Sequence, residues 1–230
     1  MNRAELKALA KQQIKGNIGI LFLIMLIIGL ISFGAGLVLG FIPGGSLISS
    51  IIITPAFALS LVTVYLNLAA GKKPEAGDAF LGFKDFWGAF KVNFLVGLYT
   101  FLWSLLFVIP GIIKAFSYSM SLYIFAENKE KGANDCIRES MQMMDGHKMD
   151  YFVLELSFIG WALLGAITFG IAYIWIIPYM NATVVNFYNS IKPVVIMKAP
   201  EEPVAELPTE EVVEETPAEE PPVEEAPAEE

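Results

Sequence analysis

Two stretches of this chain carry no charged side chain at all: Ile18–Ile42, 25 residues, and Gly45–Gly71, 27 residues. A helix rises 1.5 Å per residue and needs about 20 apolar residues to cross a hydrocarbon core of roughly 30 Å. Both stretches reach that length, and a buried helix of a soluble domain rarely runs so far without a charge. Two further apolar runs follow. Val92–Ala126 has Lys114 as its only charge, and Tyr151–Ile191 has only Glu155. These four runs fix the class before any single residue is considered. The chain is built to sit in a bilayer.

The charges between the runs suggest how it sits. Arg3, Lys7, Lys11 and Lys15 precede the first run, and Lys72, Lys73, Lys84 and Lys91 follow the second. Lys129, Lys131, Arg138 and Lys148 follow Ala126, and Lys192 and Lys198 close the body. Short cytoplasmic loops carry the excess of Lys and Arg. If all four clusters are cytoplasmic, each intervening run crosses an even number of times. The first pair turns at Pro43-Gly44-Gly45 and the last near Thr168–Gly170. In Val92–Ala126 the Pro110-Gly111 pair is the expected hairpin tip, since Pro-Gly is a strong turn signal. The arms are then short, and the second must end at a thinned or protein-lined region or continue as helix through Glu127-Asn128. Lys114 would lie one turn inside the outer surface with its stem snorkelling to the headgroups.

The expected architecture is all-α: a polytopic transmembrane helix bundle of about six spans in three hairpins. The spans fall at about 18–42, 46–70, 92–109, 111–126, 150–168 and 171–190 of a domain covering 1–198. The first run is read as a retained span, because it is too long for a signal-peptide core. Both termini are expected in the cytoplasm.

The formal net charge of −9 conceals two parts. Thirteen of the 24 acidic residues lie between Glu201 and Glu230, where there is no Lys or Arg, so residues 1–198 are mildly basic. Residues 199–230 form an acidic Pro/Glu-rich tail. Such a composition cannot bury enough apolar surface to offset its ordering entropy, so the tail is expected to be disordered. It is either simply solvated or a docking segment for a basic cytoplasmic protein partner.

Three cytoplasmic segments read as amphipathic helices. In the first, Asn2 and Glu5 resemble a capping box, and Leu6, Leu9, Ala10 and Ile14 share a face. In the second, Asp78 caps a helix bearing Phe80, Phe83, Trp87 and Phe90. The third carries Ala133, Ile137, Met141 and Met144 and ends at Gly146. Small residues recur every four positions at Ser32, Gly36, Gly40 and Gly44, and at Ala162, Ala166 and Gly170, a spacing that lets membrane helices approach closely.

Candidate chemistry is thin. With one cysteine, Cys136, and one histidine, His147, cysteine-based or histidine-clustered metal sites are excluded. No nucleophile–base–acid arrangement and no phosphate loop is present, so neither an enzyme nor a cofactor is expected. The basic clusters are too dispersed for a nucleic-acid surface. Glu155 and Lys114 are candidates because an ionisable residue inside a membrane is a functional-site candidate by default; the structural alternative is an interface anchor for Lys114 and, for Glu155, pairing with Lys148 or a polar side chain of a neighbouring helix. Asn181, beside Pro178 and Tyr179, is a third. Ser117, Tyr118, Ser119, Ser121 and Tyr123 make the fourth span unusually polar.

"IPGIIKAFSYSMSLYIFAEN", "CIRESMQMMDGHK" and "LSFIGWALLGAITFGIAYIWIIPYMNATVVNFYN" together resemble the domain-of-unknown-function 975 family of bacterial integral membrane proteins. More loosely, the segment from Pro110-Gly111 through Glu127 to Arg138, Ser140 and Gly146 is similar to the membrane domain of some glycerophosphodiester phosphodiesterases. That activity does not carry over, since no phosphodiesterase domain is present. The resemblance implies a multi-pass protein of the bacterial cytoplasmic membrane and supplies no site residues. The function expected is non-enzymatic, through lipid or protein contacts. The alternative is a small transporter or permease using polar residues within the bundle.

Overall fold

The computed structural model describes residues 2–42 and 45–192, with side chains described throughout except at 46–50. Pro43-Gly44, Lys198 and the tail lie outside the described residues, as do the expectations placed on them. The described chain is all-α: α1 (Arg3–Ile14), α2 (Ile18–Gly40), α3 (Gly45–Ala69), a 3-10 helix (Ala76–Phe83), α4 (Phe86–Leu106), α5 (Val108–Tyr118), α6 (Ser121–Glu127), α7 (Ala133–Met143), α8 (Lys148–Leu156), α9 (Ile159–Ile167) and α10 (Tyr173–Ile191). Among the described residues, five helical stretches are long and apolar enough to cross a membrane: Ile18–Gly40, Ile51–Ala69, Phe86–Leu106, Val108–Glu127 and Lys148–Ile167.

α1 is capped by Asn2, whose side chain accepts from the Ala4 N–H at 3.1 Å and donates to Glu5 Oε1 at 2.7 Å. Leu6, Ala10 and Ile14 are buried, but Leu9 faces outward. The inward stripe is narrower than expected because α1 lies mainly along α10. The second segment expected to be cytoplasmic is not one helix. Asp78 is not its cap. Glu75 and Asp78 bond reciprocally, and the 3-10 helix they open ends at Phe83. Trp87 and Phe90 belong instead to the start of α4. In the third segment the buried face is Cys136, Ile137, Ser140, Met143 and Met144. Gly146, with φ +78°, supplies the left-handed turn before α8.

Helix α4 ends at Leu106, four residues before Pro110. Phe107 alone is extended between α4 and α5 (φ −155°, ψ 142°). Its N–H donates to the Trp103 carbonyl, and its own carbonyl accepts from Gly111 N–H, each at 3.1 Å. The chain break thus lies at Phe107, and Pro110 and Gly111 sit in the first turn of α5. Proline is tolerated there because a first-turn N–H has no helical partner. Glycine has a different reason: a Cβ at 111 would come within 2.2 Å of Ser104 Oγ and 2.8 Å of Ser104 Cα. The pair therefore permits close packing of α5 on α4.

The run continuing from α5 is interrupted at Ser119–Met120. Ser117, Ser119 and Ser121 each donate to a carbonyl three or four residues back, which loosens and bends helices. Ser140 of α7 fills the gap. Its hydroxyl donates to the Ser117 carbonyl at 2.8 Å and accepts from Met120 N–H at 3.1 Å. Beyond this gap the arm continues as helix to Glu127.

The small-residue stripe of α2 is not a packing seam among the described residues, because a Cβ at Gly36 or Gly40 would meet nothing within 4 Å. Close approach occurs at Gly82 instead. A Cβ there would stand 2.0 Å from the Ala56 carbonyl oxygen. The Gly82 N–H donates to Ser60 Oγ at 2.8 Å.

Candidate functional site

Three polar groupings lie among these helices. The first contains the candidates Glu155 and Asn181. Glu155 on α8 is half-buried and lies near the phenols of Tyr151 and of Tyr123 on α6. Lys148 does not pair with it. That ammonium lies 3.5 Å from Asp145, and among the described residues Glu155 has no ion pair. Asn181 on α10 donates to the Ile177 carbonyl at 2.9 Å. It lines a cavity of about 200 Å³ with Tyr65 and Tyr123. The Tyr65 hydroxyl is buried there next to the Asn181 side chain, with no hydrogen bond of standard geometry to the described residues. Tyr123 is thus near both candidates, which do not line one cavity together.

The second grouping was not foreseen. Asn186 and Gln13 exchange amide hydrogen bonds of 2.9 and 3.0 Å, and Asn186 also donates to the Leu6 carbonyl at 3.3 Å. Two residues on, the buried Tyr188 hydroxyl donates to Glu127 at 2.7 Å, and Lys192 pairs with the same carboxylate. The last turns of α10 thereby join α1 to α6. Lys7 donates to Ser157 Oγ at 2.6 Å and stands 4.4 Å from the Phe158 ring, while Lys11 lies 5.7 Å from the Tyr179 ring. Partial burial, with Arg3 and Lys11 nearby, lowers the Lys7 ammonium below its usual range. The signal available in the sequence was an asparagine in an otherwise apolar helical run. A partner 173 positions away cannot be read from spacing.

The third grouping surrounds Lys114. Its ammonium lies 4.9 Å from the Trp103 ring centre, a cation–π distance. It lines a cleft of about 420 Å³ with Tyr99, Trp103, Tyr118, Asn134 and Arg138. Tyr99 donates to Asn134 Oδ1 at 3.1 Å. The expected outward-snorkelling lysine thus shares a cleft with an arginine from the segment expected to be cytoplasmic. Among the described residues neither Lys114 nor Arg138 has a carboxylate partner or a hydrogen-bond acceptor. Elsewhere on the α6–α7 connection the cations are paired, Lys129 with Asp85 and Lys131 with Glu139. The hydrogen bond that Lys131 donates to the Glu139 carboxylate raises its ammonium above the usual value.

A family model described as "Protein of unknown function (DUF975)" matches residues 1–117 and 105–194. The chain belongs to the DUF975 family. The match takes in all three groupings of this DUF975 chain and stops at the edge of the acidic tail. No curated protein and no solved structure matches the chain. The assignment of roles within it therefore rests on the geometry above.

Proposed function

We propose that this DUF975 protein is a non-enzymatic, multi-pass protein of the bacterial cytoplasmic membrane that acts through lipid or protein contacts, with both termini in the cytoplasm. The observation that supports this reading is the convergence of the basic segments. Gln13 of α1 meets Asn186, Tyr188 and Lys192 meet Glu127, and Lys129 meets Asp85 beside the start of α4. Four segments with an excess of Lys and Arg are tied to one another, as the positive-inside rule requires of loops on one face. Large apolar side chains lie outward along α2 and at the α4–α5 break, among them Phe33, Val38, Leu105 and Ile109. These suit contact with lipid.

Fusions test the sidedness. A fluorescent protein that matures only in the cytoplasm should fluoresce from either terminus, and alkaline phosphatase should stay inactive there. An active phosphatase at one terminus breaks the even-crossing scheme. The contact reading is tested by purifying the full chain from its membrane and weighing the retained lipids against the bulk. Retained lipid of bulk composition, together with the same crosslinked proteins after removal of Ala199–Glu230, counts against it.

One observation favours the transport alternative, the buried Tyr65 hydroxyl in the cavity beside Asn181. That reading requires water to reach the cavity. A cysteine at Asn181, in a Cys136→Ala background, should then react with small aqueous thiol reagents, and full protection removes the alternative.

A further inference from the structure

We propose that the cleft between α4, α5 and α7 binds the phosphate of an anionic phospholipid, with Lys114 and Arg138 as its two cationic contacts. This rests on the reading that the protein acts through lipid, and it names the site and the lipid chemistry.

Charge supplies the first reason. Lys114 on α5 and Arg138 on α7 line one cleft, and neither meets an anion among the described residues. Like charges facing a common space repel, more strongly where the surroundings are apolar. One shared anion removes that repulsion. A phosphodiester fits the pair, because guanidinium engages its oxygens as a planar fork and the ammonium adds a second charge-assisted bond. The Asn134 amide spends its oxygen on Tyr99, and its N–H donors have no partner among the described residues.

The surroundings point to a lipid rather than free phosphate. The aromatic wall of Tyr99, Trp103 and Tyr118 has the composition of a membrane–water interface. Beside it, Leu102, Leu105, Leu106, Ile109, Ile112 and Ile113 are exposed. From Tyr118 to the break at Phe107 is about 16 Å of helix at 1.5 Å per residue, close to half of a 30 Å hydrocarbon core. An acyl chain attached to a phosphate in the cleft would lie along this flank. The short arm formed by α5 and the presence of polar α7 beside it suit a bilayer that thins locally, so that a headgroup enters the notch.

The test uses the full chain in detergent, offered equal amounts of phosphatidylglycerol and phosphatidylcholine, with retained lipid read by native mass spectrometry. The wild type should prefer phosphatidylglycerol. Arg138→Gln, at an exposed position, should reduce that preference about tenfold, the loss expected for one charge-assisted contact. Arg138→Lys should keep most of it, Lys114→Gln should match Arg138→Gln, and Lys91→Gln, outside the cleft, should change nothing. Protection of Cys136 from maleimide serves as the check on folding. An undiminished preference in folded Arg138→Gln overturns the site and leaves the lipid reading standing. No preference in any chain overturns both. Displacement of phosphatidylglycerol by excess inorganic phosphate would make this a soluble-anion site and overturn the lipid assignment.

Discussion

Helices α2 and α10 are of similar length, 23 and 19 residues, and they are built in opposite ways. α2 buries only Leu21 and Ile24, whereas α10 buries eleven side chains. α2 has no polar residue except Ser32, while α10 carries three asparagines, a threonine and three tyrosines. The more apolar of the two helices is thus the less buried. In a bilayer, lipid is as apolar as leucine, so burial is not driven by hydrophobicity, and helices associate through packing and hydrogen bonds. This is why α10, the helix most enclosed by protein, is absent from the five stretches that qualify as spans by apolarity.

The comparison can be broken in α10 first. Phe187 is 1% exposed, in ring contact with Tyr151 at 5.1 Å. Phe187→Ala should cost about 3 kcal/mol through lost contacts and a cavity, read by equilibrium unfolding in mixed micelles. Asn186→Leu should cost about 2 kcal/mol, because Gln13 and the Leu6 carbonyl both lose their bonds. The double change Gln13→Leu with Asn186→Leu should recover part of that loss, which a double-mutant cycle measures. Tyr188→Phe removes only the bond to Glu127 and should cost about 1 kcal/mol. In α2, Phe33→Ala should lie within about 0.5 kcal/mol of wild type, since its side chain is mostly exposed. A loss in α2 comparable to that in α10 would show that α2 has a protein partner in the membrane.

The smallest signal is chemical. Burial pushes the Cys136 thiol up to about 11. At pH 8 it should stay protonated and label slowly with maleimide until the protein unfolds. Because its folded value is raised, its contribution to stability is full below the unfolded value near 9 and falls away as pH rises through 11. A steeper loss of stability between those limits than in Cys136→Ala is the expected result.

Much of the fold was legible because hydropathy and local turn chemistry are short-range. The charge-free runs of α2 and α3, the asparagine cap of α1 and the left-handed Gly146 all follow from neighbouring residues. Pro110-Gly111 shows where such reading fails. A Pro-Gly pair is a turn signal, but here the break moved to Phe107, and glycine was needed because α4 approaches at Ser104. Glu155, Asn181 and Tyr123 stand out in the sequence as polar groups in apolar runs. Tyr65, which lines the cavity with Asn181 and Tyr123, carries no such mark. Arg138 looked like one more loop cation.

The sequence by itself determined that this chain is helical, that it belongs in a membrane, and which segments carry its basic charge. Those properties come from solvent: each residue's transfer energy is set by its own side chain and adds along the helix. Only the tertiary structure decided that Asn186 joins Gln13, that Ser140 closes the break between α5 and α6, and that Lys114 and Arg138 share one cleft. Each depends on two groups far apart in the chain arriving within a few ångströms. That geometry is fixed by helix packing, which no local property of the sequence records.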